Sequence, residues 1–131
     1  MQPTRVLAVD DEERFLTSLA KLLAKKGYQV ETATGGAQAL SILTDHDVDV
    51  MILDVKMPGM DGMTTFKEAK KIRPLMEVIM LTGHATVDTA LEAIKIGAFE
   101  YLMKPCAIDE LIEKVKQAAD RKGLLLGQAK G

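Results

Sequence analysis

The chain has 131 residues, 47% apolar and 27% charged, with a formal net charge of −2, the profile of one soluble domain that buries about two thirds of its extended surface. No global positive field exists to attract nucleic acid or anionic lipid, no apolar run approaches the roughly 20 residues that cross a bilayer, and Met1 to Arg5 lacks signal-peptide architecture. The lone Cys106 cannot close an internal disulfide, which suits the cytoplasmic location expected for the chain.

The apolar period changes repeatedly along the sequence. Val6-Leu7-Ala8-Val9 is a continuous apolar run, as in a strand buried on both faces. Phe15, Leu16, Leu19, Leu22 and Leu23 then recur at helical spacing until Lys25-Lys26-Gly27 stops the helix. Gln29 to Ala33 is a weaker, alternating strand, broken by Gly35-Gly36 before a short helix marked by Ala37, Ala39, Leu40 and Leu43. Val48 to Leu53 is a strongly apolar strand that ends in Asp54, and its following loop carries the turn pairs Pro58-Gly59 and Asp61-Gly62. A helix from Met63 to Ile72 stops before Pro74. Val78 to Leu81 is a strand ending in Thr82-Gly83, and Val87, Ala90, Leu91 and Ile94 mark a helix closed by Gly97. Tyr101-Leu102-Met103 is a short strand ending in Lys104-Pro105, and Ile108, Leu111, Ile112 and Val115 carry a last helix to about Arg121. Strands and helices alternating in this way predict βαβ units and a parallel sheet covered on both faces. Residues 1–121 are expected to form the domain. Residues 122–131 fit either the last turn of the final helix or the start of a linker.

In an open parallel sheet, ligands bind beyond the carboxyl ends of the strands. Four predicted strands here end in reactive groups: Asp10-Asp11, Asp54, Thr82 and Lys104. Two carboxylates about 4 Å apart repel by roughly 4 kcal/mol at an effective dielectric of about 20. Three together require protonation or a compensating cation. Lys104 supplies one charge and Mg²⁺ fits the remainder, since it takes few carboxylates and keeps positions open for phosphate oxygens. The set points to phosphoryl transfer, which is mostly positioning and charge neutralisation. Asp54 would be the nucleophile, with Lys104 and the metal neutralising phosphoryl oxygens and Thr82 donating to one of them.

These motifs carry a family resemblance. Asp10-Asp11, Asp54 with Met57-Pro58-Gly59-Met60-Asp61-Gly62, Thr82-Gly83 and Lys104-Pro105 occur in order, and the chain from residue 5 to about 121 resembles the receiver domain of two-component response regulators. The resemblance implies a flavodoxin-like, doubly wound α/β fold with five parallel strands in the order 2-1-3-4-5 and five flanking helices. It implies that Asp54 accepts a phosphoryl group from a sensor histidine kinase, that Asp11, Asp54 and the Lys56 carbonyl hold Mg²⁺, and that Asp10 acts through a bound water. Lys104 would pair with the acceptor carboxylate and then the phosphoryl group, and its bond to Pro105 would be cis. Thr82 would swing toward the phosphoryl group and Tyr101 would follow, switching the surface of the fourth helix, fifth strand and fifth helix. Such a protein is a signalling switch, not an enzyme with a separate substrate. A homodimer formed on phosphorylation belongs to the same implied set of partners. His84 and Lys56 would lie near the phosphoryl group and tune its lifetime.

Each residue has a plainer role beside this one. Asp10-Asp11 would cap the first helix, with Glu12 and Glu13 favouring its dipole. Lys104 would be solvated, Thr82 a strand-end cap, and Tyr101 half-buried with its hydroxyl in water. Asp61 reads as a turn and cap residue, and Cys106 as a small packed hydrophobe; His46 has no partner to activate it. An aspartyl-phosphate phosphatase would place a second Asp two positions after the nucleophile, where Lys56 stands. A nucleotide or flavin domain would want a Gly-rich cradle where Asp10-Asp11-Glu12-Glu13 stands. Within the switch class, the segment Leu81 to Leu102 resembles receivers of multidomain transcriptional regulators, against a free-standing receiver that acts through a protein partner.

Overall fold

The computed structural model describes residues 3–55, 59–83 and 86–130, with side chains described as far as residue 123. Its elements alternate along the chain: β1 (Arg5–Val9), α1 (Glu13–Lys25), β2 (Gln29–Ala33), α2 (Gly36–Asp45), β3 (Val50–Leu53), α3 (Gly62–Ile72), β4 (Glu77–Thr82), α4 (Val87–Ile96), β5 (Glu100–Met103) and α5 (Ile108–Lys130). All neighbouring strands pair in parallel, in the order β2-β1-β3-β4-β5. The chain winds outward from β1 to β2 and then returns to β3 on the other side of β1. The switch point therefore lies between β1 and β3, the strands that precede Asp10 and Asp54.

Successive residues of a strand point to opposite faces, and the apolar runs fill both. Leu7, Val9, Met51, Leu53, Val78 and Met80 pack with Ala39, Leu43, Phe66 and Ala93 from α2, α3 and α4. Val6, Ala8, Val50, Ile52, Ile79 and Leu81 pack with Leu16, Leu19, Leu23, Leu111 and Val115 from α1 and α5. The central strands are buried along their length, whereas the edge strands are not: β2 buries only Ala33, and β5 buries none of its four residues. This is why their apolar signal was weak.

Most boundaries fall where the sequence places them. Gly97 closes α4 with a left-handed φ of 109°, a conformation that favours glycine. Strand β3 starts at Val50 instead of Val48, and Asp49 ties its entry to β1 twice: its N–H donates to the Arg5 carbonyl and its carboxylate accepts from the Arg5 N–H, each at 2.9 Å. Helix α5 continues past Arg121 to Lys130. Lys122 is 5% exposed, and its ammonium lies 2.6 Å from Asp49 and 3.7 Å from Asp47, pinning α5 to the pole of the sheet opposite the strand carboxyl ends.

Candidate functional site

Asp10 directly follows β1 and is 2% exposed. Its Oδ1 accepts from the Glu12 N–H at 2.9 Å, and its Oδ2 accepts from Lys104 Nζ at 2.5 Å. The carboxylate is thus fixed by the turn into α1 and by a residue 94 positions away. It does not cap the helix; the N-cap is Glu12, whose side chain makes no capping bond. Glu12 instead turns to Lys104, 3.1 Å away. Asp54 follows β3 on the neighbouring strand and is 6% exposed, with its Oδ2 3.6 Å from Lys104 Nζ. Asp11 is exposed at the rim. One carboxylate oxygen each from Asp10, Asp11 and Asp54 lies within 4.8 Å of the others.

Burial raises the Asp10 carboxyl above its ordinary value, against the opposing pull of the Lys104 and Glu12 hydrogen bonds. Burial on its own would lower the Lys104 ammonium, but bonds from Asp10 and Glu12 and the charges of Asp10 and Asp54 outweigh it, and Lys104 sits above its ordinary value. The two point opposite ways for the pair: its contacts favour the Lys104 cation, whereas burial disfavours the Asp10 anion, and one ammonium faces four carboxylates. The excess negative charge, presented by hard oxygen donors with one at the solvent rim, is the donor set that a hard divalent cation takes.

Lys104 reaches this position from the end of β5. Its backbone N–H donates to the Thr82 carbonyl at 2.8 Å, which carries the β4–β5 ladder past Met103. The Lys104–Pro105 bond is cis, as the resemblance implied. The Lys104 ammonium also sits 4.8 Å from the centre of the Phe15 ring, close enough for a cation–π contact. Thr82 is fully buried at the end of β4 and shares the α2–α3–α4 side of the sheet with Met80. Tyr101 packs on that same side, half-buried, but its hydroxyl is not left to water: it lies 2.7 Å from Thr89 Oγ1.

Asp61 is the structural residue the sequence indicated: it caps α3, accepting from the Thr64 N–H at 2.8 Å. Gly62 has a purpose beyond turning. A Cβ there would run into the carbonyl oxygen of Asp54 and the Cα of Val55, so the start of α3 lies directly against the backbone that carries the Asp54 carboxylate. Lys56 and His84 lie outside the described residues. Beside Lys104, on the α1–α5 side, an open pocket of about 520 Å³ is lined by Phe15, Leu81, Pro105, Cys106 and Ile108. Cys106 is half-buried there, and burial raises its thiol.

Three contacts had no clear signal in the sequence. Glu12 looked like a dipole residue, although it stands two positions after a strand-end carboxylate. Phe15 looked like helix core. Thr89 carried only the Thr86-x-x-Thr89 spacing of a helix start.

The model of the response regulator receiver domain matches residues 6–116 of this chain. Among curated proteins, the chain is 41% identical over 117 residues to a putative NtrX-like response regulator of Rickettsia bellii (strain RML369-C), covering 88% of this chain and 24% of that protein. It is 39% identical over 114 residues to the regulatory protein AtoC of Escherichia coli (strain K12), covering 87% and 25%. It therefore spans about a quarter of the length of these relatives. A solved receiver domain from Clostridium thermocellum superposes with a TM-score of 0.87 at 43% identity, covering 93% of this chain and 98% of that one. A CheY-like receiver from Methanospirillum hungatei JF-1 gives 0.90 at 33% identity, covering 92% and 97%.

Proposed function

The chain belongs to the response regulator receiver family, a family of signalling switches, and from that premise we propose that Asp54 is its phosphoacceptor. The observation that carries this assignment is the convergence of Asp10, Asp11 and Asp54 within 4.8 Å, with Lys104 shared between Asp10 and Asp54. In the transfer, an Asp54 carboxylate oxygen attacks the phosphorus of a phosphohistidine on a sensor kinase. The new O–P bond forms as the N–P bond breaks, and the departing imidazole nitrogen keeps the electron pair. Hydrolysis later returns Asp54 and inorganic phosphate.

Asp11, Asp54 and the Lys56 carbonyl would hold Mg²⁺, with Asp10 acting through a water; bound there, the ion would supply positive charge to the phosphoryl oxygens. Lys104 shares its ammonium among Asp10, Glu12 and Asp54, and is placed to turn a donor bond onto the phosphoryl group. Thr82 donates its hydroxyl to another phosphoryl oxygen, and Tyr101, on the same side of the sheet, adjusts with it. Together they bias the surface of α4, β5 and α5 between two arrangements. Residues 1–121 form the receiver, and α5 continues beyond them to Lys130 as a tail or the start of a linker. The curated relatives include proteins named as transcriptional regulators, such as GlrR and ZraR of Escherichia coli (strain K12), which favours transcriptional output from a longer protein, with dimerisation on phosphorylation, over a free-standing receiver. Among the described residues, no helix is long and apolar enough to cross a membrane.

Incubation with Mg²⁺ and a small acyl phosphate, followed by intact-mass spectrometry, tests the acceptor. A phosphate-sized gain that needs Mg²⁺, decays with time and disappears in Asp54→Asn is expected. The same adduct on Asp54→Asn would refute the assignment.

A further inference from the structure

Thr89 occupies the third position of α4 and forms a capping box with the N-cap residue Thr86. Thr86 Oγ1 accepts from the Thr89 N–H at 3.1 Å, and Thr89 Oγ1 accepts from the Thr86 N–H at 3.2 Å. The Thr89 hydroxyl also lies 3.1 Å from the Thr86 carbonyl oxygen and 2.9 Å from Thr86 Oγ1. A hydroxyl has one proton and two lone pairs. One Thr89 lone pair receives the Thr86 N–H, and the hydroxyl of Tyr101 lies 2.7 Å from the same oxygen. Whichever hydroxyl donates, Thr89 Oγ1 is the atom at which the helix cap and the tyrosine meet.

Helix α4 is an element that one bond can steer. Of its ten residues only Ala93 is buried, while Val87, Leu91 and Ile94 are 76%, 55% and 63% exposed. A helix with so little buried apolar surface shifts and frays at low cost. Tyr101, by contrast, is held in the β4–β5 ladder opposite Met80. The Lys104 ammonium lies against the carboxylates of Asp10, Glu12 and Asp54, the arrangement that belongs to the unphosphorylated, resting chain.

We propose that Thr89 is a positioning residue of the switch: its hydroxyl ties Tyr101 to the first turn of α4 in the resting arrangement, so that Tyr101 moves only by breaking this bond. The proposal rests on the receiver function assigned to Asp54 and adds its mechanical coupling. When Tyr101 leaves, the capping box keeps its own bonds and water takes the place of the phenol on the Thr89 hydroxyl. The helix is released without being uncapped.

The wild type, Thr89→Val, Thr89→Ser and Tyr101→Phe are compared as full chains. Amide hydrogen exchange at the first turn of α4 is read first, without ligand. Tyr101→Phe leaves every capping-box bond in place, so about fivefold faster exchange is expected only if the phenol steadies the helix; unchanged exchange overturns the proposal. Beryllofluoride with Mg²⁺, a phosphoryl mimic, is then titrated. Thr89→Val is expected to bind it about fivefold more tightly than the wild type, and Thr89→Ser to match the wild type. Equal or weaker binding by Thr89→Val refutes the latch. Failure of the wild type to bind the mimic strikes the Asp54 assignment instead, and the exchange arm alone then decides the role of Thr89.

Discussion

Removing the Asp54 carboxylate should make the metal-free protein more stable. In Asp54→Asn the shape is kept and the charge is lost. Asp54 faces Asp10 and Asp11 within 4.8 Å, and each pair repels by about 3.5 kcal/mol at an effective dielectric of about 20. It also faces the Lys104 ammonium at 3.6 Å, an attraction of about 4.6 kcal/mol on the same scale. Two repulsions exceed one attraction by about 2 kcal/mol, and solvent around the exposed Asp11 trims this further. Lys104 is not orphaned by the change, because Asp10 and Glu12 remain its partners. The expected gain is about 1–2 kcal/mol, or roughly 5 °C in Tm for a domain of this size. Urea and thermal unfolding in a chelator measure it. Addition of Mg²⁺ should narrow the gap, since mass action stabilises the species that binds the ion. A metal-free Asp54→Asn protein no more stable than the wild type would show that the three carboxylates do not strain one another.

Lys122→Met should destabilise by about 2 kcal/mol in urea unfolding, less than the 3–5 kcal/mol of a fully buried pair, because the Asp49 side chain is 29% exposed; adding Asp49→Asn should recover part of the loss. Burial raises the Glu77 carboxyl against the pull of Arg121 and Lys70, so its ionised form opposes folding at neutral pH. That penalty fades as pH falls through the raised folded-state value toward 4.5, and Glu77→Gln should gain most on the wild type near pH 7, with the difference closing in acid. Gly62→Ala should cost more than about 2 kcal/mol by overpacking and slow acyl-phosphate labelling, whereas Gly35→Ala, with nothing within 4 Å, should cost at most about 1 kcal/mol through a weaker N-cap of α2 and leave labelling unchanged.

The sequence made the sheet legible where burial is two-sided. β1, β3 and β4 are unbroken apolar runs because helices cover both faces, and the reactive residues stand out as the polar punctuation at their ends. The edge strands were fainter, since one flank of each meets solvent. Side-chain partners were the less legible part. Lys104 was expected beside the acceptor, yet its shortest bonds go to Asp10 and Glu12. No local pattern encodes which of four carboxylates a lysine 92 to 94 positions away will select. The Tyr101 hydroxyl likewise finds Thr89 because α4 lies over β5, a tertiary fact absent from the period of either segment.

The bond between Asp10 and Lys104 joins residues 94 positions apart, and this has a consequence for the order of events during synthesis. At about 5–20 residues per second, a ribosome makes Asp54 roughly 3–10 s before Lys104. During that interval the emerging chain carries its carboxylates without the cation that organises them, and β4 without its edge neighbour. The last-made strand therefore acts as a certificate of completion, because only its arrival brings Lys104 to the carboxylates.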